Sequence, residues 1–190
     1  MSRSPALLRS ATAEDALFLA DLWGDLLRRA DHQDQVSDVE LIIKTAESSP
    51  ERRLVIAEYD GHPAGAVLLV LSTLSPLDLE PVVQVFTPCV APGFRRHGLG
   101  HLLMEAAVSF AEEVGAVYLA SAARADSRSG NRFLARLGFG SKATLRVVAT
   151  PLLRGRLTAQ RPGRSVPTGG RQVGQILAAR RSLRRSQVPD

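Results

Sequence analysis

A single cysteine, Cys89, stands in a chain of 190 residues. An internal disulfide is therefore excluded, which suits a reducing compartment. Long apolar runs are also missing. The longest, Ala64–Leu71, is far too short to cross a bilayer. No signal-peptide pattern opens the sequence. The expectation is a cytoplasmic protein with no membrane partner. No His, Cys and carboxylate spacing suggests a metal centre, so no metal is expected. Aromatic residues make up only 5%, and none lies between Pro151 and Asp190. Specific reading of RNA bases by that stretch, which would need stacking, is disfavoured.

What is present is a folded domain and a basic tail. Hydrophobic content of 45% supports a real core, and the length suggests one domain. Charge is unevenly placed. Residues 151–190 hold nine arginines, no lysine and one acid, Asp190, for a net of +8. The whole chain carries +5, which leaves −3 for residues 1–150. The expected division is a folded domain over 1–150 and an Arg-rich tail over 151–190. Gly, Pro, Ser, Thr and Arg dominate Arg161–Arg171, a linker composition. Gln172–Ser186 reads as a basic helix. The tail is open to three readings: a solvated extension, contact with nucleic acid or the ribosome through phosphates, or docking on the acidic domain, its own or that of a homodimer partner.

Residues 82–101, VVQVFTPCVAPGFRRHGLGH, carry the most chemistry. A β-rich run stops at Pro92. A basic turn follows, and Gly98-Leu99-Gly100 opens an amphipathic helix. Strand, glycine loop and helix together build an anion site. The first helical N–H groups lack partners, and the macrodipole is positive there. Glycines let a ligand approach the backbone. Arg95, Arg96 and His97 add charge. The expected guest is a phosphate or pyrophosphate. A P-loop is excluded, because Gly100-His101-Leu102 stands where Gly-Lys-Ser/Thr is required. A dinucleotide fingerprint fits poorly, with Leu103 in place of its third small residue.

Arg95-Arg96-His97-Gly98-Leu99-Gly100 resembles the coenzyme A loop of the GNAT acyltransferases, Gln/Arg-x-x-Gly-x-Gly/Ala. Val90-Ala91-Pro92 resembles the Val-x-Pro that closes that family's fourth strand. FLARLGF, Phe133 through Phe139, resembles its Phe-Tyr-x-x-x-Gly-Phe. The resemblance spans roughly residues 6–150. It implies an α/β fold: a twisted, mixed sheet of six to seven strands flanked by helices. The fourth and fifth strands, Val82–Val90 and Val117–Ala122, would splay to admit an acyl-pantetheine arm.

Hydrophobic periodicity agrees in outline. Strands are expected at Ala6–Ser10, Arg53–Glu58, Pro63–Ser72 and Leu145–Thr150, besides the two above. Helices are expected from Thr12 to about Ala30, from a capping box at Ser37 to Ser48, over 99–114, and over Ser129–Leu137. Leu17, Leu22, Trp23 and Leu26 are the expected core residues of the first helix, and Leu41, Ile42 and Thr45 those of the second. Ser75–Pro81 reads as an acidic, proline-bounded loop.

The resemblance further implies acyl transfer from acetyl-CoA to a primary amine by direct attack in a ternary complex. A backbone N–H of Cys89 or Val90 would polarise the thioester carbonyl. The cofactor would be held by Cys89, Val90, Arg95, Arg96, His97, Gly98, Leu99, Gly100 and His101, with Ser127 and Asn131 at the pantetheine. The family's usual tyrosine acid falls on Leu134, which cannot donate a proton. Ser127, Ser129 or water are the alternatives. Its glutamate base falls on Gln84, which can only hold a water. Asp78 and Glu80 are the nearby acids. An alternative is a non-catalytic acyl-CoA-binding or regulatory module whose tail contacts nucleic acid or a protein.

Overall fold

The computed structural model describes residues 6–124 and 126–160. The expected linker at Arg161–Arg171 and basic helix at Gln172–Ser186 lie outside the described residues. The chain divides into two compact units after Gly140.

The first unit is a five-stranded mixed sheet in sequential order. Strands β1 (Leu7–Ser10), β2 (Arg52–Tyr59), β3 (His62–Ser75) and β4 (Asp78–Val90) run antiparallel in turn. Strand β5 (Tyr118–Ser121) joins β4 in parallel. Helices α1 (Ala16–Trp23) and α2 (His32–Glu47) cover one face, and α3 (Leu99–Glu113) covers the other. Helix α4 (Arg128–Arg136) follows β5.

Two cores result, one on each face. Val55, Val67, Leu69, Val83 and Val85 meet Leu99, Leu103, Ala107 and Phe110 of α3. Leu54, Ile56 and Ala66 meet Leu19, Trp23, Val39 and Ile43 of α1 and α2. Adjacent residues of β2 thus serve opposite faces, as the pleat requires. The α3 face follows the expected periodicity, with Leu99, Leu103, Ala107, Phe110 and Ala111 all buried.

Several expectations are corrected. The sheet has five strands among the described residues, not six or seven. Residues 145–149 form no strand. Leu145 is 90% exposed and Val147 86%, and among the described residues no strand pairs with them, so they make no ladder. The second unit is described only over residues 141–160, where Thr150–Ala159 form α5. Helix α1 stops at Trp23, where the Leu26 and Leu27 N–H groups both turn back to the Trp23 carbonyl. Helix α2 starts before Ser37, because the Asp31 side chain accepts the Asp34 N–H at 2.8 Å and caps it upstream.

The core faces of these helices match the expected ones in part: Trp23 is buried, and Leu22 and Ile42 pack half-buried against the core. Leu17, Leu26 and Leu41 are exposed, while Ala16, Leu19, Ala20, Val39, Ile43 and Ala46 are buried. Leu19 fills the core beside small alanines, while Leu17, Leu26 and Leu41 are left outside. The expected Ser75–Pro81 loop is mostly strand. Ser75 pairs with Asp78 across a two-residue turn, Pro76-Leu77. The fifth strand is an exposed edge, not a buried strand, with Tyr118 60% exposed.

Candidate coenzyme A site

Strands β4 and β5 pair only from Val82↔Tyr118 to Val85↔Ser121. Beyond Val85, β4 runs on to Val90 while β5 ends at Ser121. The other edge of β4 stays attached to β3, through Gly65↔Val90 and an Ala91 N–H bond to the Ala64 carbonyl at 2.8 Å. One edge of Phe86–Val90 is therefore held, and the edge toward β5 has no strand partner among the described residues, a gap in the pairing.

The register explains why β4 bends there. Phe86 pairs with Leu68 and Cys89 with Ala66, so β4 holds one residue more than β3 over this stretch. That is a β-bulge. It falls at Thr87-Pro88, where Thr87 has φ +50°, a region that branched side chains rarely adopt. Proline adds no N–H to the ladder.

The chain then passes through a short turn, Pro92–Phe94, into α3. Arg96 has φ +69° and Gly98 φ +81°. Gly98 is the N-cap of α3, with no side chain capping it. The first bonds of the helix are those donated by His101 and Leu102 to the Gly98 carbonyl, at 3.0 and 3.1 Å. The N–H groups of Gly98, Leu99 and Gly100 precede that ladder and have no partner within the helix. The first turn also carries no acid. Among the described residues, no side chain caps the positive end of this 15-residue helix.

A cleft of about 390 Å³ opens at this helix end. Val90, Arg95, Arg96, Gly98, Leu99, Gly100 and His101 all line it, so the sequence-predicted loop converges on one site. Phe94, Phe133, Arg136 and Leu137 complete the wall. A Cβ on Gly100 would meet the Phe133 ring at 3.5 Å, an ordinary contact, so the ring lies beside the first turn of the helix. The His101 ring meets Phe133 edge-on at 5.8 Å. Three guanidinium groups, one imidazole, free N–H donors and an apolar wall suit a phosphorylated ligand that also has an apolar part.

Other candidates sit elsewhere. The His97 ring lies 4.5 Å from that of Tyr59, and its Nδ1 is 3.1 Å from the Phe94 carbonyl oxygen. It braces the turn and is not part of the cleft wall. Cys89 is half-buried among the residues packed on α1, with its Sγ 4.0 Å from the Leu22 carbonyl. Burial pushes its thiol pKa up, against the opposing pull of Arg95 and the Val90 N–H. Gln84 pairs with Val70 and Ala120 on the closed side of the gap. Ser127 caps α4, accepting the Gly130 N–H at 3.3 Å. The Asn131 amide donates to the carbonyls of Arg124 and Ser127, at 2.9 and 2.8 Å. That fixes the connection from β5 to α4. Asp78 and Glu80 lie seven and five residues before Val85 on β4, roughly 24 and 17 Å along the strand from the apex of the gap.

Arg136 was missed by sequence reasoning. Its signal was the three-residue spacing from Phe133, which puts both on one face of α4. Gly65 was also missed. It allows the end of β4 to close on β3, because a Cβ there would stand 2.7 Å from the Cys89 carbonyl oxygen.

Comparison with known proteins agrees with this geometry. The acetyltransferase (GNAT) family model matches residues 18–139, and the chain belongs to that family. A search of curated proteins returned no match. Among solved structures, an aminoglycoside N-acetyltransferase in complex with CoA is 19% identical, with a TM-score of 0.65 over 78% of this chain and 97% of that one. A transcriptional regulator from Bacillus halodurans C-125 is 18% identical, with a TM-score of 0.65 over 76% of this chain and 100% of that one. A ribosomal-protein-alanine N-acetyltransferase from Brucella melitensis biovar Abortus 2308 is 16% identical, with a TM-score of 0.57 over 76% of this chain and 99% of that one. At these identities the likeness is one of fold. The described residues include no helix long and apolar enough to cross a membrane.

Proposed function

We propose that this chain is an N-acyltransferase that takes an acetyl group from acetyl-CoA and delivers it to a primary amine. The observation that carries the reading is the uncapped N-terminus of α3, ringed by Arg95, Arg96 and Arg136, beside the open edge of β4. The pyrophosphate would lie on the N–H groups of Gly98, Leu99 and Gly100. The pantetheine arm would run along Phe86–Val90 and place its thioester near Val90.

The amine attacks the thioester carbonyl, forming a C–N bond. The tetrahedral intermediate then expels the CoA thiolate as the C–S bond breaks. An N–H donor from Cys89 or Val90 stabilises the oxyanion. The proton lost by the amine ends on the departing sulfur. Gln84 can hold a water for this transfer but cannot itself take the proton. Positioning thus supplies most of the acceleration. The Cys89 thiol does not act as a nucleophile in this scheme: its raised pKa keeps it protonated, and a thiol is far less reactive than a thiolate.

Leu134 and Gln84 favour a second reading, an acyl-CoA-binding module without turnover, since neither can act as acid or base. Thermal unfolding with acetyl-CoA, and with NAD and ATP as controls, tests the cofactor. A ligand at 100 times its Kd adds about 2.7 kcal/mol. A shift with acetyl-CoA alone is expected; none would overturn the assignment. An amine screen for released CoA thiol then separates the two readings, since only the enzyme turns over.

A further inference from the structure

The Ser121 hydroxyl donates to the Val85 carbonyl at 2.9 Å. These two residues form the last register pair between β4 and β5, so the bond sits at the apex of the gap. We infer that Ser121 is a positioning residue for the acyl-CoA site, a clasp that holds the β4–β5 apex closed against the arm that enters the gap. The inference rests on the cofactor reading above.

The physical case begins with β5. It has four residues and, like β1 at the other edge, pairs on one side only; its pairing is parallel, which holds slightly less per residue than the antiparallel pairing of β1. An arm that inserts between β4 and β5 acts as a wedge on that attachment. The hydroxyl adds a side-chain bond where the leverage is greatest. It also occupies the carbonyl of Val85, the last β4 residue to pair with β5. The strands are thereby fastened up to Val85, while the bulge at Thr87-Pro88 directs β4 away immediately afterwards. Clasp and bulge define where the gap begins, and so how deep the thioester can sit relative to Val90. Ser121 is half-buried, so the bond is partly shielded from water.

The test compares Ser121→Val with Ser121→Thr in the full chain. The two side chains have nearly the same shape, and only threonine keeps a hydroxyl. Acetyl-CoA affinity is read by calorimetry, and the KM of the acceptor amine separately. Valine is expected to weaken acetyl-CoA about fivefold, the scale of one hydrogen bond, with the acceptor KM unchanged. Threonine should stay within about twofold of wild type. Amide hydrogen exchange at Tyr118–Ser121 in the unliganded protein should be faster for valine than for threonine. If valine and threonine bind acetyl-CoA alike, the clasp is refuted while the cofactor reading stands. If wild type itself does not bind acetyl-CoA, both fall together. Should the valine variant fail to fold, Ser121→Ala and Ser121→Cys take its place, and normal affinity in either would refute the clasp.

Discussion

A Cβ built on Gly65 would stand 2.7 Å from the carbonyl oxygen of Cys89. The obstacle is backbone, which cannot swing aside as a side-chain tip can. Gly65 also pairs with Val90, which lines the cleft proposed for coenzyme A. Gly65→Ala should therefore push the end of β4 out of place. Overpacking of this kind costs about 1–3 kcal/mol. The expected result is a melting temperature lower by several degrees and weaker stabilisation by acetyl-CoA. Thermal unfolding with and without the ligand checks both. An alanine variant that keeps full acetyl-CoA affinity would show that the position of Val90 is unimportant to binding.

Gly100 behaves differently, because its surroundings leave room. A Cβ there makes an ordinary contact of 3.5 Å with Phe133, and the residue lies in regular helix. Gly100→Ala should fold normally. Gly100→Glu should also fold, but its carboxylate would stand among the free N–H groups where a pyrophosphate is proposed. Loss of the acetyl-CoA melting shift, with the unliganded melting temperature nearly unchanged, is the expected outcome. A glutamate variant that binds as tightly as wild type would remove the loop from the site.

Asp15 is the one buried charged residue in the described chain, 3% exposed. Arg9 holds it through two bonds, 2.6 and 2.7 Å, and the Thr12 N–H adds a third at 2.8 Å. Burial alone would raise the Asp15 pKa, but these donors keep it below the usual carboxylate value. The sign follows from that depression. Above the unfolded-state pKa of about 3.9 the group is ionised in both states, and its stabilisation is fully present. As pH falls below that value and through the lower folded pKa, the stabilisation is lost. Asp15→Asn should therefore be less stable at pH 7 by about 2 kcal/mol, allowing for the partial exposure of Arg9. The gap between variant and wild type should narrow below about pH 4. Urea unfolding at several pH values measures this, and a gap independent of pH would mean that the bonds do not depend on the charge.

The loop proposed for coenzyme A was legible because such a loop needs particular residues at fixed spacing. Gly98 must supply φ +81°, and that demand is written in the sequence as glycine. Helix α3 was legible through its long, regular apolar stripe. The first two helices were less so. Trp23 took its expected place, but Leu17, Leu26 and Leu41 did not, and Leu19, Val39, Ile43 and small alanines fill the face instead, a choice made by packing between helix and sheet. Capping signals also competed: Asp31 and Ser37 both open plausible helices, and the upstream cap prevailed. Leu145–Thr150 reads as a strand by alternation, but a strand needs a partner that local sequence does not encode. Gly65 and Ser121 were invisible for a related reason. Their importance comes from residues 24 and 36 positions away, across the sheet.

Cys89 separates side-chain from backbone chemistry. Its backbone belongs to the open end of β4, while its thiol packs toward α1 and away from the cleft. The buried thiol has a raised pKa, with Arg95 too weak a counterweight to reverse the shift. Cys89→Ala removes the sulfur and keeps the N–H. If the oxyanion is stabilised by backbone, turnover should stay within about twofold of wild type. The lost packing of a half-buried small residue should cost only about 1 kcal/mol of stability. Reaction with iodoacetamide at neutral pH should be slow in the wild type, as for any protonated and shielded thiol. Steady-state kinetics of the alanine variant with acetyl-CoA and an accepted amine decide the matter. If turnover instead drops by about two orders of magnitude or more while the fold stays intact, as loss of a nucleophile would bring, the chemistry moves from the backbone of β4 to its one sulfur.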